Sequence, residues 1–122
     1  MRALIVDDSR FVVKYLRGLL NQIGIECEEA ADGQAGLSLL DAGHQFDLAL
    51  LDWNMPVMNG LEVLKRIRAA GHTGMKVMMV TTESENDFIV DALEAGADEY
   101  LMKPFDLEAL REKLVLLGLV ES

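Results

Sequence analysis

The chain has 122 residues, of which 51% are apolar and 26% charged, so it suits one globular domain and not a disordered segment. Its net charge of −10 argues against direct binding to nucleic acid or anionic membrane, whose phosphates attract lysine and arginine. A single cysteine excludes an internal disulfide, and no apolar run reaches the length of a membrane span. Without a signal-peptide pattern at the N-terminus, we expect a cytoplasmic protein.

Short apolar runs and stretches with helical apolar spacing alternate five times along the chain. The apolar runs predict strands at 3–6, 25–30, 48–52, 76–81 and 99–102. The second run carries acidic residues at 26, 28 and 29, which indicates a strand at a sheet edge. Helical spacing follows each run, and the predicted helices end at Gly24, Gly43, Gly71 and Gly96, with the last one running through Leu117.

Polar residues mark where three of these helices begin. Ser9 and Asp106 can each accept a hydrogen bond from a backbone N–H of the first helical turn. The run Ser84-Glu85-Asn86-Asp87 has the pattern of a capping box, with aspartate in place of the usual glutamate. We therefore expect the first, fourth and fifth helices to start at these positions.

The alternation of strands and helices determines the predicted fold class. Parallel strands need crossover connections, and those crossovers are right-handed, so the helices cover both faces of one sheet. We predict an α/β fold with a doubly wound five-stranded parallel sheet. All strand C-termini then meet at one edge, where ligands bind. That edge receives Asp7 and Asp8 after the first strand, Asp52 from the third, Thr81 from the fourth and Lys103 after the fifth.

The stretch 48–60 is the centre of this arrangement. Four apolar residues lead into Asp52, and Pro56 and Gly60 then break the chain, which is typical of a strand buried on both faces that ends at a loop. A carboxylate at the end of such a strand is costly to hold unless something pairs with it. Asp52 is therefore expected to have a positively charged partner at the sheet edge.

Three carboxylates, those of Asp7, Asp8 and Asp52, would repel one another at this edge unless a cation neutralised them. Oxygen ligands without a nearby histidine or cysteine favour a hard ion, and few protein ligands with several waters suit Mg²⁺ better than Ca²⁺. The position of all three acids at strand ends distinguishes them from the other acidic residues of the chain. The sequence thus predicts a Mg²⁺ site.

Two further residues at the same edge indicate an anion beside the metal. Lys103 offers a compact positive charge and Thr81 a hydroxyl donor, and together with Mg²⁺ they can hold the oxygens of a phosphoryl group during transfer. Asp52 is the acid placed centrally enough to attack phosphorus, and carboxylates do form acyl phosphates. The predicted chemistry is phosphoryl transfer to Asp52.

These residues occur in an order and at a spacing that resemble one protein family, the receiver domain of bacterial two-component response regulators. The matching motifs are Asp7-Asp8, Asp52-Trp53-Asn54-Met55-Pro56, Thr81 and Lys103-Pro104-Phe105. The resemblance covers essentially the whole chain, so a single receiver domain over 1–122 without an output domain is expected. It implies a flavodoxin-like, or CheY-like, fold with strand order 2-1-3-4-5 and five helices. The loop after Asp52 is particularly similar to that of single-domain chemotaxis regulators, and this similarity implies a link to motility.

The resemblance implies a phosphoacceptor and a metal site. Asp52 would accept a phosphoryl group from the phosphohistidine of a histidine kinase. Asp8, Asp52 and the main-chain carbonyl of Asn54 would bind Mg²⁺, and Asp7 would act through water. Trp53, next to the acceptor, is expected to be partly exposed and to serve as a spectroscopic probe.

The resemblance also implies how phosphorylation would change the protein. Lys103 would contact the phosphoryl oxygens, and its peptide bond to Pro104 is expected to be cis. Thr81 would move toward the phosphoryl group, and Tyr100 would then turn inward. That motion would reshape the face formed by helix four, strand five and helix five, where a downstream target protein binds.

Three positions near the site are expected to tune this behaviour. Asn54 and Glu83 lie two residues beyond Asp52 and Thr81, where the family controls water access and hence the lifetime of the acyl phosphate. A polar pair there implies a short lifetime. Thr82 departs from the family, which usually has a smaller residue, and its bulk would hinder the inward path of Tyr100.

Other functions stay open on the sequence alone. The chain could be a receiver separated from a larger regulator. A metal-dependent phosphohydrolase with an aspartyl nucleophile would use the same residues, but it usually needs a second acid two positions later, where Asn54 stands. A flavodoxin-like FMN carrier is the third alternative, and the acidic first loop, residues 7–10, argues against it because it would repel a phosphate.

Overall fold

A computed structural model of the protein describes residues 1–82 and 88–121. The strands are β1 (Arg2–Val6), β2 (Glu26–Ala30), β3 (Leu48–Asp52), β4 (Lys76–Thr81) and β5 (Glu99–Met102). The helices in these ranges are α1 (Arg10–Ile23), α2 (Gly33–Asp41), α3 (Gly60–Ala69), α4 (Ile89–Glu94) and α5 (Leu107–Leu116). The predicted bounds of β3, β4 and β5 are confirmed, whereas β1 begins one residue earlier and β2 one residue later than predicted. None of the described helices combines the length and the apolar character that crossing a membrane requires.

All five strands are parallel and lie in the order β2-β1-β3-β4-β5. This confirms the predicted doubly wound sheet, including the edge position of the acidic strand β2. The strand order reverses between β1 and β3, so the loops that follow these two strands border a crevice at the C-terminal edge of the sheet. The other edge strand is β5, which pairs with β4.

The core has two layers, one on each face of the sheet. One layer packs the sheet against α2, α3 and α4, and the other packs it against α1 and α5. Successive residues of β3 alternate between the layers, with Leu48 and Leu50 on the side of α1 and α5 and Ala49 and Leu51 on the other. Every residue of β3 is buried, as predicted, so this strand carries Asp52 from the core to the edge of the sheet.

Two of the polar residues predicted to begin helices, Ser9 and Asp106, lie in the described part of the chain, and both cap their helices. The Ser9 hydroxyl accepts a hydrogen bond from the Val12 N–H, and an Asp106 carboxylate oxygen accepts one from the Ala109 N–H at 2.9 Å. Gly24 ends α1 with φ of 92°, a left-handed conformation that glycine adopts without strain. The predicted capping box, residues 84–87, lies outside the described residues.

Only some of the apolar residues of α1 lie in the core. Val13, Leu16 and Leu20 are buried, but Phe11 is 79% exposed and Tyr15 is 40% exposed. Their rings stack on one another with centroids 6.5 Å apart. An aromatic surface therefore lies at the end of α1 that is nearest to the C-terminal edge of the sheet.

Candidate functional site

Three carboxylates meet at the C-terminal edge of the sheet. β1 and β3 are neighbours with Val6 opposite Leu51, so the residues that follow them come together. One carboxylate oxygen from each of Asp7, Asp8 and Asp52 lies within 4.8 Å of the others. Asp7 is buried and Asp8 is exposed, whereas Asp52 as a whole residue is only 5% exposed. The predicted convergence of these acids thus occurs in the structure.

Lys103 supplies the positive charge beside these acids. Its ammonium donates a hydrogen bond of 3.2 Å to Asp52 Oδ1 and lies 4.0 Å from Asp7 Oδ2. The backbone of the lysine is held at the end of β5, because its N–H donates to the Thr81 carbonyl at 2.7 Å. The peptide bond between Lys103 and Pro104 is cis. β4 and β5 therefore place Thr81 and Lys103 at the same crevice as the acids.

The pKa of Asp52 records these competing effects. The pKa of Asp52 is raised from 3.8 to about 6, first by burial and then by the charge of Asp7, while the ammonium of Lys103 opposes the rise. Burial also raises the pKa of Asp7, against the hydrogen bond that its carboxylate accepts from the Ser9 N–H at 2.8 Å. The site therefore holds more negative charge than its lysine balances.

Two buried polar atoms at the site lack a hydrogen-bond partner among the described residues, Asp7 Oδ2 and Thr81 Oγ1. A buried polar atom without a partner is costly, and in native proteins an ion or ligand commonly satisfies it. The Asp7 oxygen lies within the carboxylate cluster, where a cation would bind, and the Thr81 hydroxyl can donate to an anion. The donor set thus fits Mg²⁺ together with a phosphoryl group.

The loop from β3 to α3 approaches the backbone of Asp52 so closely that position 60 requires glycine. A Cβ atom at Gly60 would lie 2.5 Å from the Asp52 carbonyl oxygen, and the Gly60 N–H donates to the Trp53 carbonyl at 2.9 Å. Asn59 begins α3 by accepting a hydrogen bond from the Glu62 N–H. α3 therefore starts directly against the backbone of Asp52 and Trp53, which fixes the course of the loop.

Trp53 corrects one expectation from the sequence. It was predicted to be partly exposed, but it is only 8% exposed, because its ring stacks on Phe88 with centroids 5.2 Å apart. Phe88 immediately precedes α4, 35 positions later in the chain. Trp53, which follows Asp52 directly, therefore contacts the start of α4, and its fluorescence would report on α4 as well as on the acid cluster.

A contact between α1 and the loop after Lys103 could not be predicted from the sequence. The Tyr15 hydroxyl donates a hydrogen bond of 2.7 Å to the Phe105 carbonyl, and the two rings lie 5.6 Å apart. Phe105 follows the Lys103–Pro104 peptide, so α1 restrains the segment that positions the lysine. The two residues are 90 positions apart in the chain, so their proximity depends on the tertiary fold.

The structure also locates the remaining predicted positions. Asn54 is exposed beyond β3, Thr82 is half-buried after β4, and Tyr100 is half-buried on β5, packed against the core layer of α2, α3 and α4. Glu83 lies outside the described residues. A groove of about 550 Å³ opens beside Asp7 and Asp8 and is bordered by basic residues of α1, namely Arg10, Lys14 and Arg17.

The model of the response regulator receiver domain family matches residues 3–115. The chain belongs to this family. Chemotaxis protein CheY of Pseudomonas aeruginosa is 39% identical to it over 116 residues, which cover 93% of each chain. Chemotaxis protein CheY-3 of Vibrio cholerae is 40% identical over 116 residues, which cover 93% of this chain and 88% of that one.

Solved receiver structures share the whole architecture. CheY4 of Vibrio cholerae has a TM-score of 0.87 and 34% identity, covering 94% of this chain and 96% of that chain. A CheY-like receiver domain protein of Methanospirillum hungatei has a TM-score of 0.86 and 37% identity, covering 95% and 91%. The chain is thus a CheY-like receiver domain of two-component signalling, a class of signalling switches and not of enzymes that turn over a substrate.

The raised pKa of Asp52 predicts that the metal-free receiver becomes more stable as the pH falls from 7 to 5. Because the pKa in the folded state, about 6, exceeds the ordinary value of 3.8, protonation favours the folded state. Ionised Asp52 therefore lowers the free energy of unfolding at pH 7, by about 2 to 3 kcal/mol. Asp52→Asn should recover most of this difference at pH 7 and flatten the dependence on pH.

Urea unfolding in a chelator at several pH values, followed by circular dichroism, measures this effect. Asp8→Asn is the matched control, since it removes a charge from the same cluster without removing a buried one, and it should stabilise the protein less than Asp52→Asn. A drop in stability of Asp52→Asn at pH 7 would mean that Lys103 fully compensates the carboxylate.

Proposed function

We propose that this receiver domain is a Mg²⁺-dependent phosphoacceptor switch. Asp52 takes a phosphoryl group from the phosphohistidine of a histidine kinase in the cytoplasm, and phosphorylation alters which protein the receiver binds. The observation that carries the proposal is the buried Asp52 carboxylate at 3.2 Å from the Lys103 ammonium, within a cluster of three acids. The CheY relatives support a role in chemotaxis, which we include in the proposal.

The acid cluster is the proposed metal site. Asp8, Asp52 and the main-chain carbonyl of Asn54 would hold Mg²⁺, and Asp7 would contribute through water. When bound, Mg²⁺ neutralises the carboxylates and the oxygens of the transferred group. Asp8 is exposed while Asp7 is buried, which suits an ion that keeps some of its own waters.

The transfer itself is a nucleophilic substitution at phosphorus. A carboxylate oxygen of Asp52 forms the new bond to phosphorus as the bond between phosphorus and the imidazole nitrogen of the donor histidine breaks, and the electron pair of that bond stays on the imidazole. Lys103 can stabilise the charge on the phosphoryl oxygens, and the Thr81 hydroxyl can donate a hydrogen bond to one of them. The donor reaches Asp52 beside the basic groove of α1.

Asn54, two positions after Asp52, suits a protein that stores the phosphoryl group and does not turn over a substrate rapidly. A phosphohydrolase would place a general acid there, whereas the Asn54 amide does not ionise and cannot act as a general acid. Asn54 and Glu83 instead would admit water to the acyl phosphate, which gives a short-lived signal. The site therefore supports a switch with self-limiting phosphorylation.

The output of the switch would come from Thr81 and Tyr100. Movement of the Thr81 hydroxyl toward the phosphoryl group vacates space on the side of the sheet that Tyr100 shares, and Tyr100 then turns further inward, against the bulk of Thr82. The affected surface is formed by Val90 and Leu93 of α4, Tyr100 of β5, and Lys113 and Leu116 of α5. We call it the output surface and propose that the downstream target protein binds there.

Trp53 fluorescence tests the phosphoacceptor site. Titration with Mg²⁺ should give a saturable change in fluorescence, because the metal would bind at Asp52, next to Trp53. Addition of beryllofluoride, which mimics the phosphoryl group of an acyl phosphate, should give a second change that Asp52→Asn abolishes. Because the chain has a single tryptophan, the fluorescence signal comes from Trp53.

Phe88→Leu is the control that separates the two sources of this signal, because Trp53 stacks on Phe88. The variant should keep the midpoints of both titrations and change only the amplitude. A Mg²⁺ response without a beryllofluoride response would show a metal-binding fold that holds no phosphoryl group, and the absence of both would contradict the proposal altogether.

Tyr15→Phe tests whether α1 positions Lys103. The variant keeps the aromatic ring and removes the hydroxyl that donates to the Phe105 carbonyl, an exposed hydrogen bond worth about 1 kcal/mol. We expect the beryllofluoride midpoint to rise roughly threefold to fivefold, because the segment that carries Lys103 is less restrained. The Mg²⁺ midpoint should stay unchanged, since Lys103 is not a metal ligand. A shift of both midpoints would indicate a general loss of structure instead.

A further inference from the structure

The output surface exposes several large apolar side chains on either side of the edge strand β5. Val90 is 61% exposed, Leu93 is 44% exposed and Leu116 is 72% exposed. Leu116 follows Lys113 by three positions, so it lies on the same side of α5 as Lys113, whose ammonium contacts Glu99 of β5. Apolar side chains grouped in this way commonly mark a site where another protein binds.

The charge around these apolar side chains is negative. Asp91 and Glu94 are exposed on α4, and Glu112 is exposed on α5. The lysine of the output surface is already compensated, because the Lys113 ammonium lies 2.8 Å from a Glu99 carboxylate oxygen and 4.0 Å from the centre of the Tyr100 ring. Among the described residues beside β5, an incoming partner therefore meets carboxylates that form no ion pair, whereas the lysine there is already paired.

Two other cations lie near the border of the output surface without reversing its charge. Lys65 lines the groove between α3 and α4 with Asp91 and Glu94 but forms no ion pair with either in the described part of the chain. Arg111 precedes Lys113 by two positions, which places it on a different side of α5. One lysine thus stands against two carboxylates on the α4 border.

α4 is short, but contacts at both ends hold it in place. Before its first turn, Phe88 stacks on the buried ring of Trp53. After its last turn, the Arg68 guanidinium donates hydrogen bonds of 2.9 and 3.0 Å to the Gly96 carbonyl and one of 2.9 Å to Asp98. The apolar and acidic side chains of α4 are therefore presented on a fixed scaffold, which lowers the entropic cost of binding.

A second copy of this chain does not suit the output surface. A two-fold symmetric dimer places the same patch of each copy against the other, so carboxylates would face carboxylates. The net charge of −10 on each copy adds to this repulsion. The occupant must instead have an apolar stripe and positive charge of its own.

We infer that the downstream target presents an apolar stripe flanked by lysine or arginine. The apolar stripe would cover Val90, Leu93 and Leu116, and its basic flanks would pair with Asp91, Glu94 and Glu112. This inference rests on the proposed function in that it takes the output surface as the binding site. It adds the chemistry of the partner, which selects basic targets and rejects acidic ones.

Two peptides that share a leucine stripe at helical spacing provide the probe, one flanked by lysines and its twin by glutamates. Fluorescence anisotropy should show binding of the lysine peptide alone, and its affinity should fall as salt is added. Amide chemical shifts should place it on α4 and α5. Beryllofluoride should change its affinity, and both titrations are therefore run with and without it.

A charge-matched pair of variants locates the binding. Asp91→Asn combined with Glu94→Gln should weaken the lysine peptide about fivefold to tenfold at low salt, from two exposed charge pairs. The control, Glu26→Gln combined with Asp41→Asn, removes the same charge from exposed positions on β2 and α2, at the opposite edge of the sheet, and should change the affinity less than twofold.

Equal affinity of the two peptides, tighter binding of the glutamate twin, equal effects of the two variant pairs, or self-association through α4 and α5 would each overturn the inference. These outcomes are independent of the proposed function, because the affinities of the two peptides are compared both with and without beryllofluoride. If beryllofluoride has no effect on Trp53 or on the peptide, the phosphoacceptor proposal fails while the peptide comparison still decides the chemistry of the surface.

Discussion

The interaction on which the site depends is the contact between the buried carboxylate of Asp52 and the ammonium of Lys103, 3.2 Å apart. Burial and the nearby Asp7 work against the ionised form of Asp52, and one lysine offsets only part of that effect, so the pKa stays near 6. The crowded charge destabilises the metal-free fold but favours any ligand that brings positive charge to the acids and oxygens to the lysine. A magnesium ion with a phosphoryl group would do both, which connects the electrostatics of the resting site to its proposed function.

The parallel sheet is what places these groups together. β1, β3 and β5 contribute the acids and the lysine, β4 contributes Thr81, and the core layers on both faces hold these strand ends in register. The crevice then joins the output surface through short contacts, because Trp53 follows the acceptor and stacks on Phe88 at the start of α4. A change of charge at Asp52 thus needs to pass through only a few packed side chains to reach the proposed partner.

The sequence predicted the strands and the convergence of the site residues well, because continuous apolar runs such as 48–52 define buried strands and parallel topology brings their ends to one edge. It did not predict the burial of Trp53, since the covering ring of Phe88 comes from another element 35 positions later. Nor did it predict that Phe11 and Tyr15 lie outside the core, because helical spacing identifies an apolar stripe but not what packs against it. The contact between Tyr15 and Phe105 likewise depends on how α1 and α5 lie against the sheet.

The mass of the intact protein after incubation with a small phosphoramidate donor tests the central claim most directly. With Mg²⁺, the wild-type chain should gain the mass of one phosphoryl group, peptide mapping should locate the group on Asp52, and a chelator or Asp52→Asn should prevent the gain. Lys103→Met should slow the reaction without moving the modified residue. A wild-type chain that gains no phosphoryl group with Mg²⁺, or an Asp52→Asn variant that is modified as fast as the wild type, would contradict the account.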